Sequence, residues 1–279
     1  MIKAEIRAGH SPDADDAFMF YAIAEGKIDT GGLTLRHVVE DIQSLNERAL
    51  RAELEMTAVS AFCFFQLTDR YTLLRTGASI GENYGPVVVS RRLSYPKELK
   101  GSRVAIPGAH TTAYLLLKLY ETRFEPVFAP FDQLIALVDR GEADAALLIH
   151  EGQLTYAGEK LTKVIDLGEW FYEMSGLPLP LGVDVVRSDL GADVMRKIEK
   201  IMRESILYAL DHREEAMAYA ARYGRNTAHE TLDRFVSMYV NDYTVDMGKR
   251  GREGLLYLHR SARASGLVRN GSPIAFVPK

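Results

Sequence analysis

The stretch Ala143-Asp-Ala-Ala-Leu-Leu-Ile-His150-Glu151 is an apolar run of strand length that ends in one imidazole and one carboxylate. Arg140-Gly141-Glu142 supplies a turn before it, so the run reads as a fully buried strand. In open parallel α/β sheets, ligands meet the protein at the carboxyl ends of strands, which puts His150 and Glu151 within reach of one. A lone strand-end histidine is also satisfied by a neighbouring backbone group, so the strand by itself leaves both readings open.

Working outward, the unit has a counterpart earlier in the chain. The helix Leu134–Arg140 with its strand parallels the helix that ends Ala49-Leu-Arg51 and the strand that ends at Ser60. Arg51 matches Arg140, Glu53 matches Glu142 and Glu55 matches Asp144, all at one offset. Val104-Ala-Ile-Pro-Gly-Ala-His110-Thr111-Thr112 followed by an apolar helix likewise repeats the pattern of Ile6 through Tyr21. Shared turn chemistry alone produces some likeness of this kind. A true repeat gives two similar α/β lobes around a cleft.

Between Ile6 and Tyr21 lies the loop Gly9-His10-Ser11-Pro12-Asp13-Ala14-Asp15-Asp16. Ser11 as cap, Pro12 at the first helical position and acids near the positive end of the dipole predict a helix over about 13–25. The EF-hand spacing and its later glutamate are missing, so the aspartates are not read as a metal loop. Strands are expected at 33–39, 54–60, 73–77 and 86–90, a helix at 42–51, and a glycine-bearing connector at 78–85. The passage from Tyr156 to Gly182 reads as loop, and Pro178 with Pro180 argues against a central strand there. From Asp189 onward the pattern is helical, with Val194, Ile198, Ile201, Met202, Ser205 and Ile206 on one face. The expected division is a first lobe of residues 1–88 and 186–279 and a second of 89–185.

Composition narrows the function. The 279 residues are 47 % hydrophobic and 26 % charged, with net charge −4 and no isolated basic run, which argues against nucleic acid or an anionic membrane as partner. Cys63 is the single cysteine, so no internal disulfide or cysteine-based zinc site is available. Met1 to Arg7 has no apolar segment of secretory type, and the expected location is cytoplasmic. Dinucleotide, nucleoside-triphosphate and serine-hydrolase fingerprints are absent from the sequence. His110-Thr111-Thr112 opens a helix, and backbone N–H groups at such a start suit a carboxylate, although the threonines also serve as plain caps.

Several motifs together carry a resemblance. They are Ser11-Pro12 with Asp16 and Phe18, Pro107-Gly-Ala-His110-Thr-Thr-Ala-Tyr114, Ile149-His150-Glu151 with Thr155-Tyr156, Asp166-Leu-Gly168, Gly176-Leu-Pro-Leu-Pro-Leu-Gly182 and Tyr239-Val-Asn241. The set resembles the 1,4-dihydroxy-6-naphthoate synthase family of the futalosine route to menaquinone over nearly the whole chain. The resemblance implies a two-lobed fold like the type II periplasmic binding proteins. It further implies a cytoplasmic carbon–carbon lyase that converts cyclic dehypoxanthinyl futalosine to 1,4-dihydroxy-6-naphthoate without metal or organic cofactor. It places the base on His150 and the carboxylate-binding helix start on Thr111 and Thr112 beside His110, with Ser11, Asp16 and Ser60 lining the facing lobe. Two departures stand out: Ser-Pro-Asp-Ala-Asp-Asp replaces the expected Ser-Pro-x-Pro-Asn-Asp, and Ala58 replaces a lysine. Two other readings share the scaffold, a non-enzymatic solute-binding protein for a small anion and the related chorismate dehydratase. The Pro-Gly-x-His-Thr-Thr and Ile-His-Glu motifs favour the synthase.

Overall fold

Strand, helix, strand, helix, strand is the order in which each half of the chain begins. In the computed structural model, which describes residues 5–223, 228–269 and 271–278, the first run is β1 (Glu5–His10), α1 (Ala14–Ala24), β2 (Thr34–Val39), α2 (Ile42–Leu50) and β3 (Met56–Ser60), followed by the short helix α3 (Ala61–Phe64). Short strands β4 (Tyr71–Leu73), β5 (Ser79–Gly81) and β6 (Val87–Ser90) come next. The second run is β7 (Arg103–Ile106), α4 (Thr112–Tyr120), β8 (Glu125–Phe128), α5 (Leu134–Asp139) and β9 (Ala145–Leu148). It continues through α6 (Gly152–Thr155), β10 (Thr162–Asp166), α7 (Leu167–Ser175) and β11 (Leu179–Arg187). Helices α8 (Ala192–Asp211), α9 (Arg213–Ala220), α10 (His229–Tyr239), α11 (Asp242–Val245) and α12 (Gly248–Ala264) follow.

The two runs wind alike: β1 lies between β2 and β3, and β7 between β8 and β9, all parallel. The likeness extends to side chains. Arg7 holds Glu55 with its backbone N–H and guanidinium, and Arg103 holds Asp144 in the same way. The pairs Arg51–Glu53 and Arg140–Glu142 sit at the corresponding turns. Each sheet then takes in a strand from the other's segment, β11 antiparallel to β3 and β6 antiparallel to β9. The sheet orders are β2-β1-β3-β11-β4, with β5 also on β11, and β10-β6-β9-β7-β8.

This exchange moves several expected boundaries. The divisions at 88 and 186 cut through strands, since Val87–Ser90 belongs to the second sheet and Leu179–Arg187 to the first. A central strand does follow Pro178, contrary to expectation. Pro180 faces β5 alone, beside a register shift, and pairing with β3 begins only at Gly182, so the missing N–H is not needed in the doubly flanked part. The supposed loop at 167–175 is a helix because Asp166 caps it, accepting from the Gly168 and Glu169 N–H groups.

Helix α1 also differs from its reading. Its cap position is Asp13 rather than Ser11, and residues 14–23 are buried on every side. A helix apolar all round belongs inside, and α8, α9 and α10 pack over it. On α8, Ile198, Ile201, Met202, Ser205 and Ile206 face the core as expected, and the Ser205 hydroxyl donates to the Met19 carbonyl. One large apolar cluster runs between the sheets through α3, α4 and α12, while smaller clusters back each sheet.

Where the chain crosses between the sheets, backbone meets backbone. A Cβ on Gly168 would lie 2.0 Å from the carbonyl carbon of Tyr84 and 2.3 Å from the Gly85 nitrogen. Neither atom is a side chain that can swing away. Gly168→Ala is therefore expected to destabilise the fold by about 1–3 kcal/mol or more, as overpacking does. Thermal unfolding of the variant measures this, and a melting temperature equal to wild type would contradict the tight crossover.

Candidate active site

Residues that follow the carboxyl ends of β1, β3, β7 and β9 line one cleft between the sheets, with about 710 Å³ of empty space partly open to solvent. From the first-sheet side come Ser11 and Asp13 of the β1–α1 loop, Asp15 and Asp16 at the start of α1, and Ala58 and Ser60 of β3. From the second come Thr111, Thr112, Ile149, His150 and Gln153, and helix α10 adds Phe235 and Tyr239.

His150 stands two residues past β9 with φ of 56°, a left-handed conformation uncommon for a residue with a Cβ. Its Nδ1 lies 3.1 Å from Oδ2 of Asp13, whose side chain is 2 % exposed. The ring of Phe131 meets the imidazole edge-on at 5.2 Å between centroids. Tyr239 donates to the Gln153 amide at 2.8 Å. With that amide turned, its nitrogen instead donates to the Tyr239 hydroxyl at 2.8 Å and to the Gly85 carbonyl, and its oxygen accepts the His150 backbone N–H at 3.2 Å.

Ser60 is clamped from one side. Asn46, fully buried, donates Nδ2 to its Oγ at 3.0 Å and accepts its backbone N–H at 2.9 Å, which leaves the Ser60 hydroxyl hydrogen to donate elsewhere. Both threonine hydroxyls are engaged within the protein. Thr111 caps α4 by accepting from Tyr114 N–H and donates to the Gly108 carbonyl. Thr112 donates to the Leu181 carbonyl at 2.6 Å and accepts from Phe62 N–H at 3.2 Å. What α4 offers a ligand is thus backbone: the N–H groups of Thr112 and Ala113 have no carbonyl partner within their own helix. His110 does not line this cleft; it is half-buried, and its N–H donates to the Gln43 side chain.

The floor on the first-sheet side is acidic and dry. Burial, reinforced by the charges of Asp16, Asp13 and Glu151, raises the Asp15 carboxyl well above its ordinary range. Burial likewise lifts Asp16 to about 7, opposed by the Ser11 N–H that its Oδ2 accepts at 2.6 Å. Asp184 of β11 is raised by burial and then by Asp16. Among the described residues no group of three or more histidine, cysteine, aspartate or glutamate side chains is arranged to hold a metal ion, and no helix is long and apolar enough to cross a membrane.

Comparison with known proteins now bears on this cleft. Residues 6–264 match a protein family described as Menaquinone biosynthesis. The chain belongs to that family. A Thermus thermophilus protein named 1,4-dihydroxy-6-naphtoate synthase is 40 % identical over 263 residues, covering 94 % of this chain and 96 % of the relative. A Streptomyces coelicolor protein of the same name is 33 % identical, covering 94 % of each chain. Among solved structures, an Archaeoglobus fulgidus protein is 48 % identical with a TM-score of 0.92, covering 96 % of this chain and all of that one. A Candida albicans protein described as having the generic periplasmic binding protein fold superposes with a TM-score of 0.74 over 96 % of this chain and 92 % of its own, at 13 % identity, a likeness of fold alone. The two-lobed periplasmic-binding-protein-like architecture and the menaquinone family both agree with the sequence reading, and the family favours the biosynthetic reading over the solute-binding one.

The sequence reading missed three contributors. Asp13 was counted among helix-start acids, Tyr239 appeared only within a motif of the resemblance and with no role, and Gln153 carried no signal beyond its place three residues after His150. The titration of Asp16 gives a test. Its folded-state value is raised, so between about pH 4 and 7 the folded chain holds a proton that the unfolded chain releases, and stability falls as pH rises through that window. Asp16→Asn removes the term. Wild type should lose stability relative to the variant by up to about 1.4 kcal/mol per pH unit across the window, read from urea midpoints. Parallel pH profiles would show that Asp16 is not buried in this way.

Proposed function

We propose that this protein is a 1,4-dihydroxy-6-naphthoate synthase, a carbon–carbon lyase that acts on cyclic dehypoxanthinyl futalosine in the cytoplasm. The observation that carries the reading is His150, an imidazole oriented by a buried carboxylate at the rim of a cleft, in a chain of the menaquinone biosynthesis family. As general base it takes a proton from the substrate. Taken from a hydroxyl, that proton leaves a pair that forms a carbonyl on the departing fragment, the pair of the broken carbon–carbon bond stays with the second ring as it becomes aromatic, and aromatisation supplies the driving force. The protein has then to place the base, hold the substrate and keep competing water out.

Holding falls to the opposite corner. The α4 N–H groups of Thr112 and Ala113, with the Ser60 hydroxyl across from them, offer hydrogen bonds to a substrate carboxylate. This separates the anion site from the acidic floor formed by Asp15 and Asp16. The two sheets with their associated helices are the lobes that meet over the substrate in this proposal.

Incubating the pure protein with cyclic dehypoxanthinyl futalosine should yield the naphthoate by mass spectrometry, and no product would end the proposal. Asparagine tolerates the left-handed backbone at position 150, so His150→Asn should fold. Its turnover should drop by about 10²- to 10⁴-fold with substrate affinity retained, and near-normal turnover would remove His150 as base. Ser60→Ala should weaken substrate binding roughly tenfold, about 1.4 kcal/mol, in a calorimetric titration. An unchanged affinity would move the carboxylate away from Ser60.

A further inference from the structure

We infer that Asp13 is a positioning residue for His150, fixing the imidazole with its hydrogen on Nδ1 and Nε2 turned toward the substrate. The inference rests on the proposal that His150 is the base and adds the group that prepares it. Three observations carry it. The first is the contact itself, Nδ1 to Oδ2 at 3.1 Å, between a histidine side chain 16 % exposed and a carboxylate 2 % exposed. A carboxylate is an acceptor only, so the neutral ring that meets it must place its hydrogen on Nδ1. Nε2 then carries the lone pair, on a residue that lines the cleft.

The second observation is that Asp13 comes from the other sheet. It ends the β1–α1 loop at the cap position of α1, whereas His150 follows β9. Its carboxylate therefore reaches across the cleft to the histidine. The third is the backbone of His150 at φ 56°, with Phe131 edge-on to the ring. Left-handed backbone at a non-glycine residue costs about 1–3 kcal/mol and persists where the surroundings over-determine it. Ring, backbone and Nδ1 are thus each restrained, which leaves Nε2 as the ring nitrogen with a lone pair to accept a proton.

In the reaction, the substrate proton passes to Nε2 while its electron pair stays with the substrate and drives the bond cleavage. The Nδ1 hydrogen stays where it was, hydrogen-bonded to Asp13, and the positive charge that appears on the ring faces a carboxylate already in place. No reorganisation is needed at that moment. Asp15, Asp16 and Glu151 lie around the same site, and Asp16 and Glu151 act on Asp15 through their charge, so removing Asp13 alone does not empty the region of acid.

The test combines kinetics with the tautomer. In substrate-free wild type with ¹⁵N-labelled histidine, His150 is assigned among the seven histidines as the signal lost in His150→Asn, and its ring nitrogens should report hydrogen on Nδ1. In Asp13→Asn the side-chain amide can donate to Nδ1, and the signal should shift toward the Nε2–H form. Turnover in that variant should fall about 10²-fold or more with KM within about threefold, the pattern of a mispositioned base. Asp13→Glu should restore part of the rate. Hydrogen on Nε2 in the wild type overturns the inference whatever the variants do, and so does Asp13→Asn with unchanged turnover. Because the tautomer is read without substrate, failure of this inference is distinguishable from failure of the proposed reaction, which the His150→Asn assay decides.

Discussion

The exchange of strands between the sheets is the constraint on which the rest depends. Each parallel trio, β2-β1-β3 or β8-β7-β9, is completed by an antiparallel strand from the other's segment, β11 in one case and β6 in the other. The chain must therefore cross between the sheets twice at nearly one level, and the crossings touch where Gly85 and Gly168 approach backbone to backbone. This joins the sheets at their centre while leaving the carboxyl ends of β1, β3, β7 and β9 to face a common space. The Arg7–Glu55 and Arg103–Asp144 clamps tie strand starts, far from that space, and so stabilise each trio without entering the site.

Electrostatics decides how the cleft treats an anion. Counted from the sequence, the first loop brings three aspartates, and β11 adds Asp184 behind them. Left ionised in so dry a place, these charges would be costly and would repel a carboxylate. Burial instead lifts Asp15, Asp16 and Asp184, so the floor carries less charge near neutrality than the residue count suggests. The space behind is fully used, since a side chain at Gly77 would sit 2.0 Å from the Asp184 carboxylate. The start of α4, with its backbone N–H groups unpaired within the helix, is then the side of the cleft that suits an anion.

Much of this was legible in the residues, and the failures are instructive. The two-run architecture was visible because Arg51, Glu53 and Glu55 recur as Arg140, Glu142 and Asp144, and those residues occupy equivalent turns and clamps. His150 was visible as the end of an uninterrupted apolar strand. The strand exchange was not, because pairing partners in a sheet are set by tertiary contact, and β6 and β11 look alike from either side. The prolines misled for the same reason: whether a missing N–H matters depends on which flank is occupied. The threonines at 111 and 112 were found at the right helix start, with capping and ligand contact both open; no pattern in one segment tells that Leu181 and Phe62 will claim the Thr112 hydroxyl. Asp13 looked like one more acid near a dipole until the distant His150 was beside it.

The contacts that span the cleft also set how it opens. Asp13 meets His150, Gln43 accepts from His110 N–H, Thr112 bonds the Leu181 carbonyl and Phe62 N–H, and Tyr239 bonds Gln153. All of these join the first sheet and its helices to the second. Parting them exposes the same groups to water, which replaces most of each bond, so each contributes only about 0.5–1.5 kcal/mol net to the closed arrangement. The apolar cluster that runs between the sheets through α3, α4 and α12 is not replaced by water and holds the base of the molecule together. Separation is therefore cheap at the rim and costly at the crossovers, which confines movement to the end where the substrate enters. A ligand that bonds Ser60 on one sheet and the start of α4 on the other favours the closed arrangement by its difference in affinity for the two states. The Asp13–His150 contact spans the same rim, so it too favours the closed arrangement.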